Sequence, residues 1–400
     1  MATNTHPIEV RARANQRLGM PIARFLRDYW QKRPLLVRAA FADFRNPVAP
    51  DDLAGLACEE LALSRIAIHE PKRDRWTLRN GPFAESDFSK LPGTHWTLLV
   101  QDVDKWDADV AALLAHFSFL PTWRIDDVMV SYAEDGGSVG AHVDQYDVFL
   151  LQGLGRRRWE ISADGDAPKE FRTDAELKLL REFMPTHDWL LEPGDMLYLP
   201  PGLPHRGIAA GACMTYSIGM RAPSQADLLG DFVDHLIERL PEEARYTDAD
   251  LTPAHGDGEI DDAAIARVAR AMPWLKFDTP AASALRVWFG RFITRYRSAQ
   301  LAAAPPRRLS DATFLRAVAS GASVRRNPWS RCAWMRDGRA AILFIAGEDH
   351  ACSLPLARTA GTRDEFPLAT GTASDAALLR RLVDAGHYVL VDPRRSRSGR

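Results

Sequence analysis

Apolar positions recur along this chain with two different periods. In PIARFLRDYWQKRPLLV, the residues Ile22, Phe25, Leu26, Tyr29 and Trp30 fall at helical spacing, and Pro34 stops the helix before a short strand. DADVAALLAHF repeats the helical pattern with Val110, Leu113, Leu114 and Phe117 on one face; His116, beside that face, reads as a packed or surface histidine. From Ile125 to Ala222 the period shortens to two. Val128, Val130 and Tyr132 alternate with Met129, Ser131 and Ala133, which predicts a strand. DVFLLQ and RRRWEIS flank GLG, the pattern of a hairpin turning on Leu154. PGDMLYLPPG places a strand between Pro-Gly turns, and CMTYSIGM is another. Short strands at close spacing with glycine and proline punctuation predict a sandwich or barrel, not a parallel sheet.

After Pro223 the pattern becomes helical. SQADLLGDFVDHLIERL opens on a capping pair, Ser224 and Asp227, and carries Leu228, Leu229, Phe232, Leu236, Ile237 and Leu240 on one face. DDAAIARVARAM and ASALRVWFGRFITRYRSAQL predict two further helices, and AQLAAAPPRRLSD reads as a linker. Beyond it come a strand in AAILFIAG, a helix in DAALLRRLVDAG capped by Ser374, and a closing strand in HYVLV. This last part resembles a winged helix, with Arg380 and Arg381 on an exposed helix face. The chain therefore reads as α+β in three domains: residues 1–222 with the strands, 223–304 helical, and 305–400 winged-helix-like.

Composition narrows the class without deciding it. The chain has 400 residues, 46% hydrophobic and 26% charged, the balance of a soluble globular protein. Its first residues hold no apolar run of signal-peptide length and no eighteen apolar residues run together, so a cytoplasmic location without a membrane span is expected. Cys58, Cys213, Cys332 and Cys352 lie far apart and form no CxxC pair, which excludes a disulfide framework and a cysteine-built zinc site. The net charge of −2 hides an asymmetry: from Pro305 onward 16 arginines face 9 acidic residues, whereas 35 basic and 44 acidic residues precede them. An acidic body suits a basic partner. Direct nucleic-acid contact by the arginine-rich tail is not expected from so modest an excess.

The candidate chemistry lies in SVGAHVDQYDVFLLQGLGRRRWEIS. His142 and Asp144 are one residue apart, so in extended backbone both side chains leave on one face and can reach the same metal ion. HxD alone is weak, because His255-Gly-Asp257 repeats it in the polar stretch TPAHGDGEIDD, where it reads as a solvated turn. The first copy is followed by GDMLYLPPGLPH, whose spacing from Gly194 through Pro200 and Gly202 to His205 resembles the second motif of the cupin superfamily. Two histidines and a carboxylate form the facial triad of non-haem Fe(II) oxygenases, which leaves coordination positions open for a cosubstrate and O₂. If 2-oxoglutarate is that cosubstrate, its far carboxylate needs a fixed cation, and GRRRW offers Arg156, Arg157 and Arg158. Alternation groups Arg157 with Trp159 but does not say which arginine points inward. With a hairpin at Leu154, residues 142–147 would have to bend inward for Arg157 to approach the metal.

The runs HVDQYDVFLLQGLGRRRW, FLRDYWQKRPLLV and PGDMLYLPPGLPH resemble the bacterial ribosomal oxygenases, JmjC-type 2-oxoglutarate enzymes. The resemblance covers nearly the whole chain and is strongest from residue 20 to 222. It implies a double-stranded β-helix (JmjC/cupin) barrel with N-terminal helices, a helical dimerisation region and a C-terminal winged helix. It implies Fe(II) on His142, Asp144 and His205, and 2-oxoglutarate held by Arg157 with Ser131 lining its pocket. Thr215 stands where relatives often carry asparagine. The implied activity is hydroxylation of an arginine in a large-subunit ribosomal protein by a homodimer. A histidine hydroxylase of the same architecture and a non-catalytic ribosome- or RNA-binding protein are the alternatives.

Overall fold

Strands fill the first part of the chain and helices enclose them from one side. The computed structural model describes residues 6–245, 247, 249, 262–271 and 279–391, and it divides into two units, Met1–Ala222 and Pro223–Arg400. The second HxD, His255 to Asp257, lies outside the described residues.

In the first unit ten strands form one sheet: β1 (Glu9–Arg11), β2 (Leu35–Arg38), β3 (Ser64–Glu70), β4 (Arg75–Asn80), β5 (Trp96–Val100), β6 (Ile125–Ala133), β7 (Val148–Ile161), β8 (His187–Leu191), β9 (Met196–Leu199) and β10 (His205–Met220). Their spatial order is β1-β2-β9-β7-β10-β6-β5-β3-β4, with β8 on the later half of β7. β1 and β2 are parallel; the other pairs are antiparallel. Alternation gives the sheet two faces. On one, Val128, Val130, Phe149, Leu151, Met196, Tyr198, Met214, Tyr216 and Ile218 form the main core with Phe25 and Tyr29, Leu53, and Val110 and Phe117. Those last residues come from the helices Ile22–Asp28, Pro50–Leu56 and Ala108–Leu113 and their flanks. His116 is exposed, its ring edge-on to Phe41 at 5.2 Å. The opposite face carries a smaller core of Leu36, Val148, Leu150, Trp159, Ile161, Leu191, Leu197 and Leu199. The polar residues Ser131, Gln152 and Thr215 share that face with Arg157.

The hairpin expected at Gly153-Leu154-Gly155 does not exist. β7 runs unbroken for 14 residues beside the 16-residue β10, and the three residues form a bulge in it. Thr215 faces Gln152 while Met214 faces Leu154, and Ala210 faces Arg156, so both strands skip residues there. The glycines are sterically required: a Cβ on Gly153 would lie 2.4 Å from the Tyr216 ring, and Gly155 holds φ +60 with its Cβ position 2.1 Å from the Ala212 carbonyl oxygen. The bulge also inverts the alternation. Val148, Leu150 and Gln152 face the site before it, and Arg157, Trp159 and Ile161 after it, with no inward bend of residues 142–147 required.

In the second unit, β11 (Ser323–Arg326) lies between β15 (Glu365–Pro367) and β16 (Tyr388–Val391), and β12 (Cys332–Asp337), β13 (Ala340–Ile345) and β14 (Glu348–Cys352) form a meander. Helices Asp311–Ala319, Leu354–Thr362 and Ala373–Asp384 close a core around Val324, Leu343, Leu356, Phe366, Leu379 and Tyr388. The last helix is capped by Thr372 with Asp375 in a reciprocal box, not by Ser374. Arg380 is not free on its surface: it pairs with Asp311, donates to the Leu309 carbonyl at 2.8 Å and covers Phe314. Arg381 is exposed.

Helix Gln225–Ile237 begins with the expected Ser224–Asp227 box. Its apolar face is only partly buried: Phe232 packs on Trp288 of helix Thr279–Thr294, whereas Leu229 and Ile237, and Leu240 just beyond, are exposed. Helix Asp262–Ala271 likewise exposes Ile265 and Val268. The four cysteines are free, and three of them are buried. Among the described residues no helix is long and apolar enough to cross a membrane.

Candidate metal centre

His142 lies on an irregular segment after β6, and His205 opens β10. Their backbones are paired: each N–H donates to the other's carbonyl at 3.0 Å. That exchange sets the two imidazoles 4.2 Å apart between centroids. Asp144 is fixed by its own carbonyl, which accepts from the Gly202 N–H at 2.7 Å in the Pro-Gly turn before His205. The three side chains converge, with Asp144 Oδ2 at 3.8 Å from His142 Nε2 and 3.7 Å from His205 Nε2. One donor atom from each lies within 4.8 Å of the others, and among the described residues this is the one such cluster of three or more His, Cys, Asp or Glu.

Tautomers follow from the neighbours. His142 Nδ1 is 3.0 Å from the Gly140 carbonyl and His205 Nδ1 2.9 Å from that of Leu203, so each Nδ1–H donates and each Nε2 presents its lone pair to the cluster. Histidine ligands are ordinarily oriented in this way. Burial, reinforced by the neighbouring His142, pushes the His205 pKa down to about 4, so its ring is neutral at pH 7. Three protein donors with one partly exposed flank, at His142 and Asp144, fit a divalent metal with positions left open.

Arg157 lies on the same face, with 3% of its surface exposed. Its Nη1 donates to Ser131 Oγ at 3.3 Å and its Nη2 to the Gly207 carbonyl at 3.4 Å, both long. Its Nε has no partner, and among the described residues no carboxylate pairs with it. A buried cation without a counter-ion is costly, and here the missing partner fits an incoming carboxylate. The guanidinium lies 5.2 Å from the centroid of Trp159, whose ring is 6.0 Å from that of His205. Arg156 and Arg158 are exposed on the other face, Arg158 in an ion pair with Asp188 at 2.6 Å. Thr215 is buried and donates from Oγ1 to Gln152 Oε1 at 3.1 Å.

Sequence reasoning missed three residues. Gly207, opposite Trp159, leaves room for the two side chains beside the site: a Cβ there would lie 2.7 Å from Arg157 Nε and 2.8 Å from the Trp159 ring. Tyr146 and Asp127 bring a phenol and a second carboxylate to the region of Asp144; Tyr146 keeps 40% of its surface exposed, and desolvation of the rest, then Asp144 and Asp127, raise its pKa. Neither was marked by a sequence pattern, because residues 143–147 are not in a strand and the spacing of Tyr146 from Asp144 carries no alternation.

The comparisons agree with this geometry. Residues 112–228 match the family model described as a JmjC domain, and residues 278–388 match the ROXA-like winged helix. The chain is 40% identical to the ribosomal protein uL16 3-hydroxylase of Escherichia coli over 282 residues, 70% of this chain and 73% of that protein. The X-ray structure of E. coli ycfD superposes with a TM-score of 0.82 at 33% identity, covering 93% of this chain and 99% of that one. The structure of YcfD, a ribosomal oxygenase from E. coli, in complex with cobalt and 2-oxoglutarate superposes with a TM-score of 0.78 at 32% identity, with 93% and 99% covered. The fold is thus the JmjC/cupin barrel followed by helices and a winged helix, the α+β architecture expected from the sequence.

Proposed function

This chain belongs to the ribosomal oxygenases of the JmjC family, and from that premise we propose that it is an Fe(II)- and 2-oxoglutarate-dependent dioxygenase that hydroxylates an arginine side chain of a large-subunit ribosomal protein. The observation that carries the reading is the convergence of His142, Asp144 and His205 on one sheet face with a buried guanidinium, Arg157, that has no counter-ion. The YcfD complex with cobalt, a stand-in for iron, and 2-oxoglutarate supports the same pair of cofactors.

His142 Nε2, His205 Nε2 and an Asp144 oxygen would hold the iron. When bound, the iron supplies O₂ activation coupled to decarboxylation of 2-oxoglutarate to succinate. The protein's part is placement. Arg157 takes the far carboxylate with Ser131 beside it, and arginine suits this because it stays charged when desolvated. Val148, Leu150, Leu197 and Leu199 keep that wall dry. Asp127 and Tyr146 add acidic and aromatic character near Asp144, which suits a cationic target side chain.

The protein works in the cytoplasm, in keeping with four free thiols. Its working divisions are 1–222 for catalysis, 223–304 for dimerisation and 305–400 for the winged helix. It is a homodimer through the exposed apolar residues Leu229, Ile237 and Leu240. The non-catalytic RNA-binding alternative loses support because Arg380 is occupied within its own unit.

The test is succinate release from 2-oxoglutarate with and without Fe(II), using fragments of large-subunit ribosomal proteins. Iron-dependent release that His142→Ala abolishes is expected. Absence of iron-dependent turnover with every basic ribosomal peptide overturns the reading. Mass spectrometry of the product then locates the added oxygen, and its appearance on histidine in place of arginine selects the histidine hydroxylase.

A further inference from the structure

Between β7 and β8 the chain leaves the sheet over residues 162–186 and returns upon the segment that carries His142. Phe171 and Leu180 form an antiparallel bridge, and Arg172 N–H donates to the Leu179 carbonyl and Arg181 N–H to that of Glu170, each at 2.8 Å. Most of this excursion is exposed, but Leu179 and Leu180 are buried at 3% and 5%. They meet the two residues before His142. Leu180 N–H donates to the Ala141 carbonyl at 2.8 Å. Leu179 packs on Gly140, where a Cβ would lie 2.5 Å from Leu179 Cδ2 and 3.3 Å from the Trp76 ring. Gly140 is itself the residue whose carbonyl orients His142 Nδ1.

A second tie holds the excursion in place. Arg172 donates from Nη1 to Asp74 Oδ2 at 2.7 Å and from Nη2 to the Asp74 carbonyl at 3.3 Å, while gripping Asp174 through Nε at 2.9 Å and Nη2 at 2.8 Å. Asp74 is at the β3–β4 turn, and Trp76 after it stacks on His69 with centroids 4.1 Å apart. A loop distant in sequence is thus joined to the β3–β4 hairpin, whose Trp76 lies beside Gly140.

We propose that residues 171–180 are a strap that positions His142 for metal binding, with Leu179 and Leu180 as positioning residues and Arg172 as the latch to Asp74. The inference rests on the metal-site reading above and names what sets ligand placement within it. His205 is built into a long strand, whereas His142 sits on irregular backbone, tied on its C-terminal side by its pair with His205 and by the Asp144–Gly202 bond, while the strap holds the two residues before it. Without the strap, ordering that backbone would be charged against metal affinity. Exposed ion pairs contribute little individually, so Leu179 and Leu180 carry the effect and Arg172 a minor part.

The test is Co(II) binding to the full-length metal-free protein, followed by visible absorption, with amide hydrogen exchange over residues 139–144 as a second readout. Leu179→Ala is expected to weaken Co(II) binding by about tenfold or more, the range seen when groups supporting metal ligands are removed, and to speed exchange at 139–144. Leu179→Met should restore most of both. Arg172→Gln should give a smaller loss, and the KM for 2-oxoglutarate should not move, because Arg157 is held by the sheet. Wild-type Co(II) affinity and exchange in a folded Leu179→Ala protein overturn the strap. Should that variant lose its native circular dichroism, Leu180→Ala, at the strap's second buried contact, takes its place, and wild-type Co(II) affinity and exchange there overturn it equally. A wild-type protein that binds no Co(II) overturns the metal reading itself, which separates the two failures.

Discussion

Arg157 combines two properties that rarely coexist: a full charge and almost complete removal from water. Its two long hydrogen bonds offset part of that cost, and its idle Nε leaves the rest standing. Filling the pocket with a carboxylate removes the deficit, so the residue should matter far more to binding than to folding. Arg157→Gln is expected to raise the KM for 2-oxoglutarate by roughly 30- to 100-fold, equivalent to about 2–3 kcal/mol for a charged hydrogen bond, while leaving the melting temperature of the cosubstrate-free protein unchanged or higher. Steady-state kinetics and calorimetry read the two quantities. Equal loss of both would make the arginine structural. At this scale the sequence was legible for the metal donors, since HxD and the later Pro-Gly-x-x-His spacing are local patterns. It was not legible for the choice among Arg156, Arg157 and Arg158. That choice depends on two skipped registers in β7, which no count along one strand reveals, and here the family resemblance supplied what periodicity could not.

At the scale of elements, β7 shows how a correct pattern yields a wrong shape. DVFLLQ is buried on both faces of the sheet and so reads as a continuous apolar run, and GLG after it has the composition of a turn. The strand continues because β10 bulges with it, a pairing between residues about sixty positions apart. Gly155 is the test of this account. With φ +60 and the Ala212 carbonyl where a methyl would go, Gly155→Ala is expected to destabilise the first unit by about 1–3 kcal/mol. Chemical denaturation measures it, and a neutral substitution would show that the bulge relaxes freely. The helix caps divide along similar lines. The Ser224–Asp227 box was visible because serine and aspartate stand at the right interval; the same interval joins Thr372 to Asp375, but Ser374, nearer the apolar run, drew the assignment.

At the scale of the whole molecule, the first unit holds every candidate metal and cosubstrate residue, and the second exposes apolar side chains on its leading helices. Exposed large side chains at helical spacing are uncommon on a monomer. Replacing Leu229 and Ile237 together by aspartate should convert a dimer to a monomer in analytical ultracentrifugation, with the melting temperature of the first unit retained. A monomeric wild-type protein would remove dimerisation from the account. The order of domains was legible from the change of period at Pro223. The partner of the helices was not, because amphipathicity announces that a face will be covered and says nothing of what covers it.

Gly207 carries a wider implication. Arg157 and Trp159 can lie close against β10 because one atom is missing there, and a single methyl would press on both together. A descendant with alanine at that point would keep all three donors but push the guanidinium from its place, and its grip on the diacid should weaken. Among such proteins, the histidines and the aspartate tell whether a metal fits, and the hydrogen at this position helps decide whether it has fuel.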